Sequence, residues 1–219
     1  MERSKRIIVS SDASGAFHAA REGFLVVVVD VIDMSTTLES ALDSGAYAVL
    51  GASPDFTRAP VNVAPEKIGR EAAQLAREAG SGIIVISEPR VGKDNERLAR
   101  CQKLIRGIEQ EKGFVEAVLP NLGAETPRLL EMKGRVVVAV TDTGGVAYDA
   151  AYTAGGRVTT GTIARTLKHK GTQPAQIAAR RAQELLRDDD PGIAVIAASS
   201  NSLEDVLAAQ YIANLLLPS

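Results

Sequence analysis

The sequence has no tryptophan, one cysteine, two histidines and only 4% aromatic residues. Each scarcity removes a class of function. So few aromatics leave base-stacking platforms for single-stranded nucleic acid poorly supplied. A single cysteine excludes an intramolecular disulfide and a thiolate zinc cluster. Cys101 shares a helical face with Leu98, Ile105 and Ile108, so it reads as a buried structural thiol rather than a nucleophile. His18 and His169 are far apart and have no cysteine partner, which makes a zinc site a poor fit. His18 reads as a surface or packing residue, and His169, between Lys168 and Lys170, as a solvated basic end. Charge of one sign is lacking too. Against 25 Lys and Arg stand 27 Asp and Glu, a net −2, with no basic surface or tail for nucleic acid. No apolar run reaches the length of a membrane span and the first residues show no signal-peptide stretch, so the expectation is a cytoplasmic protein with no membrane partner. The fingerprints G-x-x-x-x-G-K-[ST], G-x-G-x-x-G after a strand, G-x-S-x-G and H-E-x-x-H are all missing. The ordinary nucleotide, hydrolase and zinc-protease readings go with them.

What remains is an alternation of strand-like and helical segments over 219 residues, enough chain for a full core. Leu25–Val29, Ile83–Ser87, Val136–Val140 and Ile193–Ala197 are apolar runs of the kind buried on both faces of a sheet. The pattern predicts one α/β domain over residues 1–219, three layers (α/β/α), with these strands in a single, mostly parallel or mixed sheet. A subdivided sheet is the variant of that reading. Residues 66–79 form an amphipathic helical pattern, residues 94–113 a long helix, and residues 161–170 a further helix. Residues 53–65 carry three prolines and no period, so they form a loop, either a lid over a site or inert. Residues 201–217 are apolar nearly all round, which suits burial or a subunit contact and suggests a homodimer.

The strands end in short polar segments: Asp30–Thr37, Glu88–Gly92, Thr141–Gly145 and Ser199–Asp205. Ligands of open α/β sheets sit at the carboxyl ends of parallel strands. In the first segment, Thr36 and Glu39 have capping-box spacing, so a helix is expected to start there. Its N–H groups could hold a phosphate, with Asp30 and Asp33 beside a divalent cation; equally, this is a capped βα connection with solvated acids. Gly144-Gly145 is either a tight turn or a backbone cradle for phosphate. In Ser202-Leu203-Glu204-Asp205, the acids either belong to a helix cap or coordinate a cation. An oxygen-ligand Mg²⁺ site needs only one or two carboxylates besides phosphate and water.

Taken in order, these segments resemble the 2-phosphosulfolactate phosphatase family. Asp30-Val31-Ile32-Asp33-Met34-Ser35-Thr36-Thr37, then Ala41-Leu42 and Gly45-Ala46, is similar to its D-V-x-R-A-(S/T)-T-T, A-L and G-A signature. Ser202-Leu203-Glu204-Asp205-Val206-Leu207-Ala208-Ala209 resembles its S-L-E-D-x-x-A-A segment, and Gly161-Thr162-Ile163 its G-S-L. Asn121 and Pro127 fall near its N-S-P region, and the Thr141–Gly145 turn where it has T-T-N-G-T. The sequence departs from the family at three places. Asp33 stands for an arginine, Ser87-Glu88-Pro89-Arg90-Val91-Gly92 for a G-E-R-G-G turn, and Gly144 for an asparagine.

The resemblance implies a Mg²⁺-dependent phosphatase of a small phosphorylated sulfo- or carboxylic acid, related to the enzyme that acts in coenzyme M biosynthesis. It implies Mg²⁺ held by Asp30, Glu88, Glu204 and Asp205, and catalysis by Asp30, Asp33 and Arg90, with Arg90 as a charge clamp. Ser35, Thr36, Thr37, Asn121, Thr141, Thr143, Gly144 and Gly145 would bind substrate. The rival reading is a non-catalytic relative that binds a small acidic ligand or a protein partner. It draws on Asp33, whose extra carboxylate repels a phosphate unless a metal intervenes.

Overall fold

The computed structural model describes residues 5–217. The strands are β1 (Arg6–Ser11), β2 (Leu25–Val29), β3 (Ala48–Ala52), β4 (Ile83–Ser87), β5 (Val115–Pro120), β6 (Val136–Val140), β7 (Val158–Gly161) and β8 (Gly192–Ala197). The helices are α1 (Asp12–Arg21), α2 (Met34–Asp43), α3 (Pro65–Ala79), α4 (Asp94–Ala99), α5 (Gln102–Gln110), α6 (Gly144–Thr153), α7 (Gln173–Leu185) and α8 (Leu203–Leu215). No helix among the described residues is long and apolar enough to cross a membrane.

The fold is α/β, and its valine-rich runs are strands buried on both faces, as their composition requires. They do not share one sheet. Two four-stranded sheets form, ordered β1-β8-β2-β7 and β3-β6-β4-β5, with every pairing parallel. The expected single sheet is therefore corrected to two: β2 and β8 lie in the first, β4 and β6 in the second.

The division is physical, because α2 and α6 pack against strands of both sheets. The two faces of β2 show the layering. Val26 and Val28 join the large core that reaches into the second sheet, while Leu25, Val27 and Val29 join a separate core under α7 and α8. The first sheet is thus the middle of an α/β/α sandwich. Against the second sheet packs α3, with α5 on α3. There Gly69 and Gly107 let the two helix backbones meet, since a Cβ on either would fall 2.1 Å from a carbonyl oxygen of the other helix.

Two predicted helices change form. The expected long helix over residues 94–113 is broken at Arg100–Cys101, because the Asp55 carboxylate accepts the Lys103 N–H at 3.0 Å and caps a new helix there. Residues 162–172 are not helical. Asp43 takes the Lys168 N–H at 3.1 Å and the Thr166 hydroxyl, so a side-chain acceptor replaces helical bonds.

Candidate active site

Register brings the polar segments together. Val29 pairs with Ala197 and with Gly161, so Asp30, Ala198 and Thr162 follow at one level. In the second sheet Ser87 pairs with Val140 and with Pro120, so Glu88, Thr141 and Asn121 follow at one level. Carboxyl ends of both sheets thus border α2 and α6, the two helices between them.

Asp30 is the joint. It is 2% exposed, and both of its oxygens are occupied. Oδ1 accepts the Asp33 N–H at 3.1 Å, and Oδ2 accepts the Thr143 hydroxyl at 3.0 Å and the Gly144 N–H at 2.8 Å. A residue at the end of β2 therefore caps the start of α6, placing a carboxylate where that helix end favours negative charge. This explains Gly144-Gly145 without a ligand. A Cβ on Gly144 would meet Asp30 Oδ2 at 2.3 Å, and one on Gly145 the Ala52 carbonyl at 2.1 Å. The Gly145 N–H is taken by Thr141 Oγ1 at 2.8 Å.

The capping box expected from Thr36 and Glu39 does not form. The helix starts earlier, with Asp33 at its N-cap position. Ser35 Oγ accepts the Asp30 N–H at 2.9 Å and donates to the Val28 carbonyl at 3.0 Å. Thr36 Oγ1 lies 2.5 Å from the Val31 carbonyl and 2.8 Å from Thr162 Oγ1. Thr37 donates to Asn121 Oδ1 at 2.5 Å. All three hydroxyls are buried and spent on the fold. The box in Ser202–Asp205 does form in part, since Ser202 Oγ accepts the Asp205 N–H at 3.2 Å.

Asp205 then reaches across to the start of α2, where its Oδ1 accepts the Val31 N–H at 2.8 Å. Burial pushes its carboxyl up to about 6, the Val31 N–H opposes this, and the Asp30 charge adds to it. Asp33 is also pushed up to about 6, first by burial, then by the charges of Asp30 and Glu88, against the pull of Arg90. Arg90 lies 3.6 Å from Asp33 and donates Nε–H to the Asn121 carbonyl at 2.9 Å. The structure thus brings Asp30, Asp33, Glu88 and Asp205 within electrostatic reach, with one arginine among them. Glu204 stands apart, on the solvent side of α8.

Asp33, Glu88, Pro89 and Arg90 line an open cleft of about 690 Å³, together with Glu96, Arg100 and Asp142. Arg100 and Asp142 are functional candidates the sequence did not single out. Asp142 lay inside a flagged turn, but its 2.6 Å ion pair comes from a helix whose pattern announced only packing. Asp142 also borders a second cleft of about 620 Å³.

Among the described residues, no three His, Cys, Asp or Glu side chains are grouped as a ready metal cage. The donor set still suits a hard cation that takes one or two carboxylates and keeps its waters. Glu88 Oε1 is buried with no hydrogen-bond partner, and Asp33 and Asp205 are held against ionisation first by burial and then by like charge, the part that a cation would relieve.

No protein-family model and no curated protein matches the chain. Among solved structures, it is similar to a thiamine phosphate pyrophosphorylase from Pyrococcus furiosus. The two are 17% identical over 91% of this chain and 99% of that one, with a TM-score of 0.21. A likeness that slight carries neither fold nor function across.

Proposed function

We propose that the protein is a cytoplasmic, Mg²⁺-dependent phosphatase of a small phosphorylated sulfo- or carboxylic acid, a divergent relative of the 2-phosphosulfolactate phosphatases. One observation carries the reading. Carboxylates from the strand ends of both sheets crowd around Asp33 at a cleft whose mouth holds Arg90. Such crowding is costly unless a cation shares the site.

Bound there, Mg²⁺ would neutralise charge on the phosphoryl oxygens. Glu88, through its unpartnered oxygen, and Asp205 are the residues that would hold it. Arg90 is half-exposed and its contact with Asp33 is long, so its guanidinium can leave Asp33 for an anionic substrate group. Asp30 acts through others: its two oxygens fix the starts of α2 and α6 and so set the spacing of Asp33 and Thr143. The exposed apolar residues Leu203, Leu207 and Tyr211 on α8 support a homodimer, which a light-scattering mass of two chains would bear out.

Phosphate release from 2-phosphosulfolactate and 2-phospholactate with Mg²⁺ tests the reading. Glu88→Gln should lower turnover by about a hundredfold or more, the scale of one lost charge contact in the transition state. Asp33→Arg, which restores the family residue, should raise it.

A second reading is favoured by the internal use of Asp30, Ser35, Thr36 and Thr37, which leaves few free groups for a phosphate. On that reading the protein is a non-catalytic relative that binds an acidic ligand. No release from a broad panel of phosphoesters by folded protein with Mg²⁺ present would favour it over the phosphatase reading.

A further inference from the structure

The second cleft is lined by Asp12, Ala13 and Ser14 at the start of α1, by Asp142, Thr143 and Val146 around the start of α6, and by Phe56–Pro60 of the proline-bearing loop. Its wall touches the proposed active site, because Thr143 bonds Asp30 and Asp142 faces both clefts.

The loop that closes it is tied down. Asp149, fully buried in α6, accepts the Ser53 N–H at 3.2 Å and the Ala64 N–H at 2.8 Å, so one carboxylate clamps both ends of the loop. Asp55 fastens the near side to α5 through Lys103, and Ala59, Val61 and Val63 pack against the small core of Ala13, Val146 and Ala150. Between these anchors Phe56 is 81% exposed. Phe56 is thus an exposed ring on an anchored segment, and it is among the residues that line the cleft.

The charges are equally selective. Asp12 is engaged by the Ser200 N–H at 2.9 Å and the Ser11 hydroxyl at 3.1 Å, and Asp142 by Arg100. Arg58 has no ion pair among the described residues and stands exposed beside Phe56. The cleft therefore offers an exposed aromatic residue and, among the described residues, one cation outside any ion pair, with the hydrogen-bonded Asp12 carboxylate on the opposite element.

We infer that this cleft is a specificity pocket for the organic part of the ligand, selecting an acid that bears an aromatic group: the ring lies on Phe56 and the carboxylate or sulfonate on Arg58. The inference rests on the proposed function for the phosphorylated end of the ligand, in the neighbouring cleft across Asp142. The 2-hydroxy acid product can be tested without any hydrolysis.

Calorimetric titration of the full chain with 3-phenyllactate and with lactate reads the pocket directly. Phenyllactate should bind more tightly by about tenfold or more, the scale of an aromatic contact with its buried area. Phe56→Ala should collapse that preference, Phe56→Tyr should keep it, and Arg58→Gln should weaken phenyllactate by about tenfold through the lost charge-assisted bond. Phe56 and Arg58 are exposed, so these variants should melt as the parent does. Equal affinity for the two acids, no binding of either, or a preference indifferent to Phe56→Ala would overturn the inference. Hydrolysis is a separate arm. Retained binding preference without phosphate release from 2-phospho-3-phenyllactate leaves the pocket standing and removes the phosphatase reading.

Discussion

The two ends of α2 handle acidic residues in opposite ways. At its C-terminal half Glu39 is buried and clasped by Arg181, with oxygen–nitrogen distances of 2.8 and 2.5 Å. Asp43, at the last turn, holds His169 at 2.9 Å as well as Thr166 and the Lys168 N–H. Each carboxylate there has a side-chain partner inside the molecule, Arg181 for Glu39 and the His169 imidazole for Asp43. At the N-terminal end Asp30, Glu88 and Asp205 lie within electrostatic reach of Asp33, and the cation beside Asp33 is Arg90, half-exposed and 3.6 Å away. Acids favour helix N-termini, but that preference is small beside the cost of burying and crowding carboxylates. One end of the helix is a finished lock between α2 and the α7 side of the fold. The other is short of positive charge, and the proposed site rests on that shortage.

Breaking the lock should have the largest effect. Arg181→Met leaves the Glu39 carboxylate buried and unpaired, and should cost about 3–5 kcal/mol in urea unfolding. Adding Glu39→Met should recover much of that loss, because two apolar side chains replace the pair. If Arg181→Met were neutral, α7 would not depend on this contact and the contrast between the two ends would lose its first term.

The site end should respond through pH. Burial, then the charges of Asp30 and Glu88, push the Asp33 carboxyl up to about 6 in the folded protein. That lies above the value of roughly 3.9 for the unfolded chain. The folded state therefore binds the proton more tightly. The contribution of Asp33 to stability is full below the unfolded value and is lost as pH rises through about 6. The same sign holds for Asp205. Asp33→Asn should thus gain stability relative to the parent as pH rises from 4 to 7, followed by thermal melts across that range. A variant that tracks the parent at every pH would mean that Arg90 already balances the cluster.

The smallest effect is expected at the lock's outer edge. His169 is about a third exposed beside Asp43. His169→Ala should cost about 1 kcal/mol or less, the scale of one partly exposed side-chain hydrogen bond. A larger loss in urea unfolding would show that the 162–172 segment hangs on this contact.

His169 also shows where sequence reading stops. Between two lysines it reads as a solvated basic end, yet Asp43, far away in sequence, holds it in place. The same holds for Thr36. Its spacing to Glu39 spells a capping box, but its hydroxyl bonds Val31 and Thr162 while Glu39 turns to Arg181. Local rules name residues able to cap, and long-range partners with better geometry or deeper burial take them instead. The proline-bearing residues 53–65 were legible as a loop. That one carboxylate on α6 clamps both its ends was not, because Asp149 lies in a segment whose composition signals only helix.

By itself the sequence determined the α/β class, the identity of the buried strands and the rule that polar residues follow each strand end. These depend on local composition and period, which a strand carries within itself. Tertiary structure alone decided that the strands divide into two sheets, that Asp30 caps a helix rather than facing open solvent, and that Asp142, paired with Arg100, borders two clefts. The reason is register and layering. Which strand ends meet, and across which helices, depends on the packing of α2 and α6 between the sheets, a property of many residues at once that no single segment contains.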